Sequence, residues 1–187
     1  MTDEESDPLR ERLEVYIGKS LGGSEPTLAP DDVNLPMIRH WVDALDDRNP
    51  VYLDEEFAAK SRFGGIVAPP AMLQAWTMPR PKIEGIAERG APDEISTDNP
   101  VSVLSEAGYV ATLATNSELE FVRYLKPGDR VQSSIEMESI SNRKKTALGL
   151  GYFVTWVTTY TDADGELVGR QLFRIFKFDP ATIGATP

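Results

Sequence analysis

Cysteine is absent from this sequence of 187 residues, and histidine occurs once, at position 40. The absence of cysteine excludes disulfides, thiol nucleophiles and zinc sites built from cysteine. A single histidine excludes the HExxH type of zinc motif and any mechanism that needs two imidazoles. His40 lies two residues from Ile38, off the apolar face of a predicted helix, and is interpreted as a surface residue. Acid–base chemistry would therefore depend on carboxylates, tyrosines or this one imidazole.

Basic residues and long apolar runs are also scarce. The sequence has 19 lysines and arginines against 30 aspartates and glutamates, for a formal net charge of −11. Such a charge repels the phosphate backbone, so we expect no nucleic-acid partner. No run approaches the roughly 18 apolar residues of a spanning helix, and residues 1–7 lack the basic and apolar parts of a signal peptide. These absences predict a cytoplasmic protein without a membrane partner.

The period of the apolar residues changes along the chain, which predicts an α+β fold. The first part predicts helices near 9–17, over about 35–45, around 55–60 and from Pro70 onward. The last third predicts antiparallel strands over about 118–124, 130–140, 151–161 and 167–178, with a type II turn at 126–129. A sheet that wraps around the apolar helix starting at Pro70 is the economical arrangement of these elements.

The same patterns predict the domain organisation. We expect an N-terminal helix and lead-in over 1–30, one domain over 31–178, and a linker-like tail over 179–187. Residues 82–116 show no sustained period and predict an irregular or partly helical excursion within that domain. Strand 151–161 is apolar on both faces and needs cover on both, once from the chain itself and once from another subunit. Pairing with a second subunit is therefore expected.

Two motifs carry a resemblance to a known family. Residues 47–52 read Asp-Arg-Asn-Pro-Val-Tyr, and residues 64–70 read Gly-Gly-Ile-Val-Ala-Pro-Pro. Together with the segment from 118 to 131, they resemble the MaoC-like, R-specific enoyl-CoA hydratases and dehydratases, and the likeness spans about 10–178. The resemblance implies a hot-dog fold, in which an antiparallel sheet wraps a central helix and pairs with a second hot-dog subunit.

The resemblance also implies a reaction, the hydration of an α,β-unsaturated thioester of coenzyme A, without cofactor or metal. That reaction needs a base for water, an acid for the α-carbon and donors for the enolate oxygen. The catalytic members hold the water with the Asp and His of a G-D-x-N-P-[LIV]-H loop. Asp47 matches that aspartate, but Tyr52 stands in place of the histidine, and a tyrosine, with its reference pKa of about 10, is a poor proton carrier. We therefore expect no complete catalytic site in this chain.

With tyrosine in place of this histidine, the sequence resembles the non-catalytic partner subunits of the family. One such group is the larger subunit of the actinobacterial steroid (cholesterol) side-chain enoyl-CoA hydratase. This group is the better match of the two for segments 72–76, 79–81 and 146–155. The other is the substrate-binding subunit of a (3R)-hydroxyacyl-ACP dehydratase. The resemblance implies that a smaller catalytic hot-dog subunit supplies the Asp/His pair in a heterodimer or heterotetramer. The larger subunit usually continues into a domain with cysteine-ligated zinc, which this chain is expected to lack or to have been separated from.

The candidate site residues follow from the two motifs. The predicted acyl-CoA-binding residues are Asp47, Tyr52, Gly65, Ile66, Val67, Ala68, Pro69, Met72 and Trp76. Arg143, Lys144 and Lys145 are candidates for the phosphates of coenzyme A, although three basic residues between strands are also typical of a solvated turn. Asp47 is the only catalytic candidate, and it could instead cap its loop or pair with Arg48. A self-sufficient hydratase using Asp47 and Tyr52, and a thioesterase or simple acyl-CoA binder, stay open as alternatives.

Overall fold

The computed structural model describes residues 7–21, 23, 25–78 and 99–184, which build one antiparallel sheet and several short helices. The strands are β1 Thr27–Leu28, β2 Ala111–Phe121, β3 Val131–Ile140, β4 Lys144–Thr146, β5 Gly149–Asp162 and β6 Leu167–Asp179. They lie in the order β1-β3-β5-β6-β2, and β4 pairs with the start of β5. The helices are α1 Pro8–Glu14, α2 Leu35–Leu45, α3 Pro50–Leu53, α4 Glu55–Lys60, α5 Leu73–Trp76 and α6 Pro100–Glu106. A 3₁₀ turn at Pro70–Met72 precedes α5.

Side-chain caps determine where the helices begin. Asn34 Oδ1 accepts a hydrogen bond from Met37 N at 3.0 Å at the start of α2, and Asp54 does the same for α4. Each cap pairs an amide that the first turn of a helix leaves without a partner. The predicted helices over 35–45 and 55–60 are confirmed, and His40 is exposed as expected.

Three boundaries predicted from the sequence are wrong. Strand β2 begins at Ala111 and not at 118, because it is an edge strand whose residues are almost all exposed and so show no apolar alternation. The predicted excursion over 82–116 is partly helical as expected, because it contains helix α6, but its end is wrong because residues 111–116 belong to β2. Its residues 82–98 lie outside the described ranges. Helix α1 ends at Glu14, so Tyr16 and Ile17 follow it rather than lie on its face.

The inner face of the sheet carries two separate cores. The helix-side core packs Met72, Leu73 and Trp76 against the sheet residues Val131, Tyr160 and Val168. The far core packs α1 and α6 against the other end, through Leu13, Leu104, Met137, Tyr152 and Ile175. The helix from Pro70 is buried on the sheet, as predicted, but its seven residues reach only about 12 Å. Strand β5, with 14 residues, extends over about 46 Å, so one short helix covers only one end of the sheet.

A glycine lets α5 sit close to the sheet. A Cβ atom at Gly169 in β6 would lie 2.6 Å from the carbonyl oxygen of Glu120 and 2.7 Å from Leu73 Cδ2. Strand β2 and helix α5 therefore both approach β6 where it has no side chain. This close approach fixes the position of the helix on the inner face.

The segment predicted as a tail begins inside the sheet. Asp179 ends β6, and the turn Pro180–Thr182 follows, in which Thr182 Oγ1 accepts a hydrogen bond from Leu150 N at 2.7 Å. Across the described ranges, no helix is both long enough and apolar enough to pass through a membrane.

Arg123 joins two turns at the helix-side end of the sheet. Its guanidinium lies 3.0 Å from Asp129 Oδ2, in the predicted turn at 126–129, and 2.6 Å from Asp162 Oδ2, at the β5–β6 turn. Gly128 has φ of +97° and Asp129 N donates to Lys126 O at 3.0 Å, as a type II turn requires. The hydrogen bond from Arg123 lowers the pKa of Asp162 from its ordinary value of 3.8.

We expect the melting temperature to fall as the pH drops below about 4, because a carboxylate with a lowered pKa stabilises the fold above its unfolded pKa and loses this effect as the pH falls through the folded pKa. Asp162→Asn should lower the melting temperature at neutral pH by a few degrees and flatten its decline in acid. Thermal unfolding followed by circular dichroism at several pH values measures both effects. Asp164→Asn, at the exposed tip of the same turn, is the control. An Asp162→Asn profile identical to that of the control would contradict the prediction.

Candidate functional site

The loop between α2 and α3 carries the predicted catalytic aspartate and holds its own shape. Asp47 N donates to Val42 O at 2.9 Å, and Asp47 Oδ1 accepts from Asn49 N at 3.1 Å. Asn49 Oδ1 in turn caps α3 by accepting from Val51 N at 3.3 Å. The D-x-N-P spacing thus makes two consecutive side-chain caps, which are a structural reason for these residue types.

Asp47 lies at the edge of an open cleft on the protein surface. The cleft has a volume of about 460 Å³ and is lined by Val42, Asp43, Asp46, Asp47, Arg48 and Leu53. The guanidinium of Arg48 pairs with Asp46 at 2.7 Å, so the alternative in which Asp47 pairs with Arg48 is wrong. The capping alternative describes what the Asp47 carboxylate does in this structure.

Tyr52 lies beneath this loop, in the helix-side core, with 8% of its surface exposed. Burial is the main cause that raises the pKa of its hydroxyl above the ordinary value of 10.0, and the nearby Tyr124 and Asp47 raise it further. A hydrogen bond with Asn49 acts in the opposite direction. A phenol with a raised pKa keeps its proton at neutral pH, so Tyr52 can donate a hydrogen bond but is not a base.

The structure places most of the other predicted acyl-binding residues inside the helix-side core. Val67 and Met72 are fully buried, and Ala68 and Trp76 keep at most 3% of their surface exposed. Pro69 is also buried, whereas Gly65 and Ile66 are half-buried. The space beside Ala68 and Pro69 amounts to about 10 Å³, which is far below the volume of an acyl group.

The three basic candidates for coenzyme A phosphates lie at the opposite end of the sheet. Lys144 and Lys145 are exposed on β4, next to Gly151 at the start of β5. Tyr160, in the helix-side core, is about 30 Å further along β5. Arg143 hydrogen-bonds to Tyr109, which is the main cause that raises the pKa of its guanidinium. The fold therefore does not bring these residues together with Asp47 and Tyr52.

A cavity of about 500 Å³ opens on the inner face between the two cores. Its apolar wall is formed by Ile135, Trp156 and Phe173, and polar side chains such as Thr158, Tyr160, Gln171 and Gln74 line the rest. Its size falls in the range of about 300–1,000 Å³ that is typical of pockets for small organic molecules. The sequence patterns did not predict this cavity. The signal that could have revealed it is the presence of Thr158 and Gln171 at inward positions of strands that are otherwise apolar.

Comparison with known proteins assigns the family. A family model described as the FAS1-like, dehydratase domain region matches residues 23–171. The chain belongs to this family. The expected resemblance to dehydratases is thus confirmed, and the FAS1-like dehydratase region includes the Asp47 loop, the helix from Pro70 and most of the sheet.

Two curated relatives extend this assignment. A protein named "Probable enoyl-CoA hydratase alpha subunit" from Thermomonospora curvata is 45% identical over 177 residues, which cover 90% of this chain and 51% of the relative. The "3-oxo-4,17-pregnadiene-20-carboxyl-CoA hydratase alpha subunit" of Mycobacterium tuberculosis is 41% identical over 163 residues, 87% of this chain and 50% of the relative. The chain spans about half the length of these curated relatives.

Solved structures confirm the hot-dog fold that the sequence predicts. One chain of the ChsH1-ChsH2 complex from Mycobacterium tuberculosis superposes with a TM-score of 0.77 at 39% identity, over 93% of this chain and 98% of that one. The (R)-hydratase from A. caviae superposes with a TM-score of 0.55 over 85% of this chain and 94% of that one. At 14% identity, this second match shows a shared fold alone.

Core and cavity residues should respond differently to substitution. We expect Met72→Ala to lower the free energy of unfolding by about 2–5 kcal/mol, because it removes a fully buried side chain. Ile135→Trp, on the wall of the cavity, should change that free energy by only about 1 kcal/mol, because the added volume fills open space and not a packed core. Chemical denaturation of the purified chain measures both effects. A loss at Ile135→Trp as large as that at Met72→Ala would show that the cavity is closed in solution.

Proposed function

We propose that this FAS1-like dehydratase domain is the acyl-binding, non-catalytic subunit of a heteromeric enoyl-CoA hydratase that acts on a bulky, steroid side-chain enoyl-CoA. The observation that carries the proposal is Tyr52 in the place of the catalytic histidine. Its hydroxyl is buried and its pKa is raised, so the loop holds a carboxylate without an imidazole. A partner subunit with an Asp/His pair completes the chemistry.

The proposed reaction is redox-neutral and uses water as the second substrate. The water oxygen bonds to the β-carbon of the thioester, and a proton is added to the α-carbon. The partner's acid and base carry these protons, while this chain binds the acyl group and keeps solvent away from it. No cofactor is required beyond the coenzyme A that the substrate itself carries.

The relatives support this division of labour. Both curated relatives are named alpha subunits of hydratases, and the solved structure with a TM-score of 0.77 is part of a two-component complex. The name of the mycobacterial relative describes a steroid acyl group, and the cavity of about 500 Å³ has room for a bulky ligand.

Strand β2 supplies the surface for the proposed partner. In the described part of the chain β2 pairs only with β6, so its other edge has no neighbouring strand. Large apolar side chains are exposed on this strand and beside it, namely Val110, Leu113, Leu119, Phe121 and Val122. A long edge strand with exposed apolar residues is suited to pairing with another chain. We propose that a smaller catalytic hot-dog subunit pairs here, in a heterodimer or heterotetramer.

A self-sufficient hydratase is the second candidate, because Asp47 lies in the family position and close enough to Tyr52 to raise its pKa. This candidate needs Asp47 as the base. The role of Asp47 therefore separates the two functions.

If the partner carries the chemistry, Asp47→Ala should lower kcat of the complex by less than about 10-fold, against the 10²–10⁴-fold that is typical of losing a general acid or base. The purified chain alone should not hydrate crotonyl-CoA or a steroid enoyl-CoA. Asp43→Ala, which removes another carboxylate from the same cleft, is the matched control. Steady-state hydration assays with and without the partner give the answer. A loss of about 10³-fold, or hydration by the chain alone, would give Asp47 the role of base.

A further inference from the structure

Strand β6 carries a buried lysine on its inner face, beside the far core. Lys177 lies two residues after Ile175 and opposite Tyr152 of β5, so the three side chains share one side of the sheet. Lys177 is only 5% exposed. Its Nζ donates to the carbonyl oxygen of Val110 and to Thr112 Oγ1, both at 3.1 Å. The side chain therefore crosses from β6 to the start of β2, the strand with the open edge.

The ammonium group of Lys177 has no opposite charge beside it. Both of its acceptors are neutral, and in the part of the chain that the structure describes no carboxylate forms an ion pair with it. Two acidic residues at the same end of the sheet are engaged elsewhere, since Asp179 accepts from Ala181 N and Asp7 accepts from the Tyr152 hydroxyl. An unpaired ammonium inside a fold is destabilising, so we expect Lys177 to lower the stability of the isolated chain.

A strand added to the open edge of β2 would bring a side chain to this ammonium. The added strand would lie two strand spacings, about 9.6 Å, from β6. Lys177 already crosses the first of these spacings. A residue opposite Thr112 on the inner face of the added strand would lie about 4.5–5.5 Å from it between Cβ atoms. A carboxylate there reaches Nζ, takes its third N–H and supplies the missing negative charge.

A second copy of this chain does not supply that carboxylate. The acidic residues of β2 are Glu118 and Glu120, which lie opposite Leu172 and Arg170 of β6, on the outer face of the sheet. Two β2 strands that pair with each other would therefore place no acidic side chain on the inner face. The ammonium favours a different chain at this edge.

We propose that Lys177 forms an ion pair with an aspartate or glutamate of the partner subunit, on the strand that pairs with the start of β2. This inference rests on the proposed function and gives the partner a recognisable feature, an acidic residue at an inward position of its edge strand. The ammonium destabilises the chain alone and stabilises the complex. Lys177 therefore selects the partner over a second copy.

The test compares the isolated chain with the complex that it forms with the catalytic hot-dog subunit. Lys177→Met keeps the length of the side chain and removes its charge. In the isolated chain it should leave the midpoint of chemical denaturation unchanged or raise it, because water can solvate the exposed Val110 and Thr112 in place of the ammonium. In the complex it should raise Kd by about 30-fold or more. Lys177→Arg keeps the charge and should bind the partner more tightly than Lys177→Met.

Lys126→Met, at an exposed lysine in the turn at 126–129, is the matched control and should change neither quantity. A lower denaturation midpoint for isolated Lys177→Met, or its failure to fold, would show that a counter-ion within the chain pairs with Lys177, and would overturn the proposal. Coenzyme A binding by the isolated wild-type chain that is lost in Lys177→Met would assign the ammonium to a phosphate and overturn it too.

Subunit affinity is measured without catalysis, which separates this inference from the proposed function. If the complex hydrates no enoyl-CoA but its Kd depends on Lys177, the proposed function fails and the inference stands. An active complex whose Kd is the same with Lys177→Met overturns the inference alone. If the two chains form no complex, both fail.

Discussion

The mismatch in length between one buried helix and a long sheet governs this structure. The helical segment from Pro70 to Trp76 reaches about 12 Å along strands that extend over about 46 Å. A sheet with an apolar inner face must be covered along its whole length. The chain therefore adds α1 and α6 at the far end, and the two coverings leave a cavity where they do not meet. Within the described part of the chain, the cavity lies where these two coverings stop.

The residues that hold the conformation of the Asp47 loop differ from Tyr52, the residue that stands in place of the family's histidine. The loop at Asp47 is held by its own caps, since Asp47 and Asn49 each hold a backbone amide. Tyr52 is part of the core, where its aromatic ring packs against other side chains. Its hydroxyl keeps its proton because its pKa is raised, so it does not take part in proton transfer. The conformation of this loop therefore depends on the two caps and not on the side chain at position 52.

Several elements could be predicted from the sequence because their signals are local. The cap at Asn34, the proline at the start of the central helix and the Pro127-Gly128 turn each act within a few residues. The start of β2 could not be predicted, because an exposed edge strand has no apolar period. The cavity could not be located from the sequence either: Thr158 and Gln171 indicate a polar spot on the inner face, but Gln74, Ser133 and Gln171 come together only when separate elements pack. The residues predicted to bind the acyl group were identified by a family pattern, and their burial depends on tertiary packing that the pattern does not contain.

The unpaired edge of β2 also affects how the chain behaves in a cell when it has no partner. A copy without a partner presents 11 residues of strand backbone and a row of exposed apolar side chains to its surroundings. Such an edge is a template for adding any other strand, including that of a second orphan copy. Surplus copies would then be lost to aggregation or proteolysis. Under the proposed pairing, balanced synthesis of this chain and its partner would follow from the open edge of the sheet.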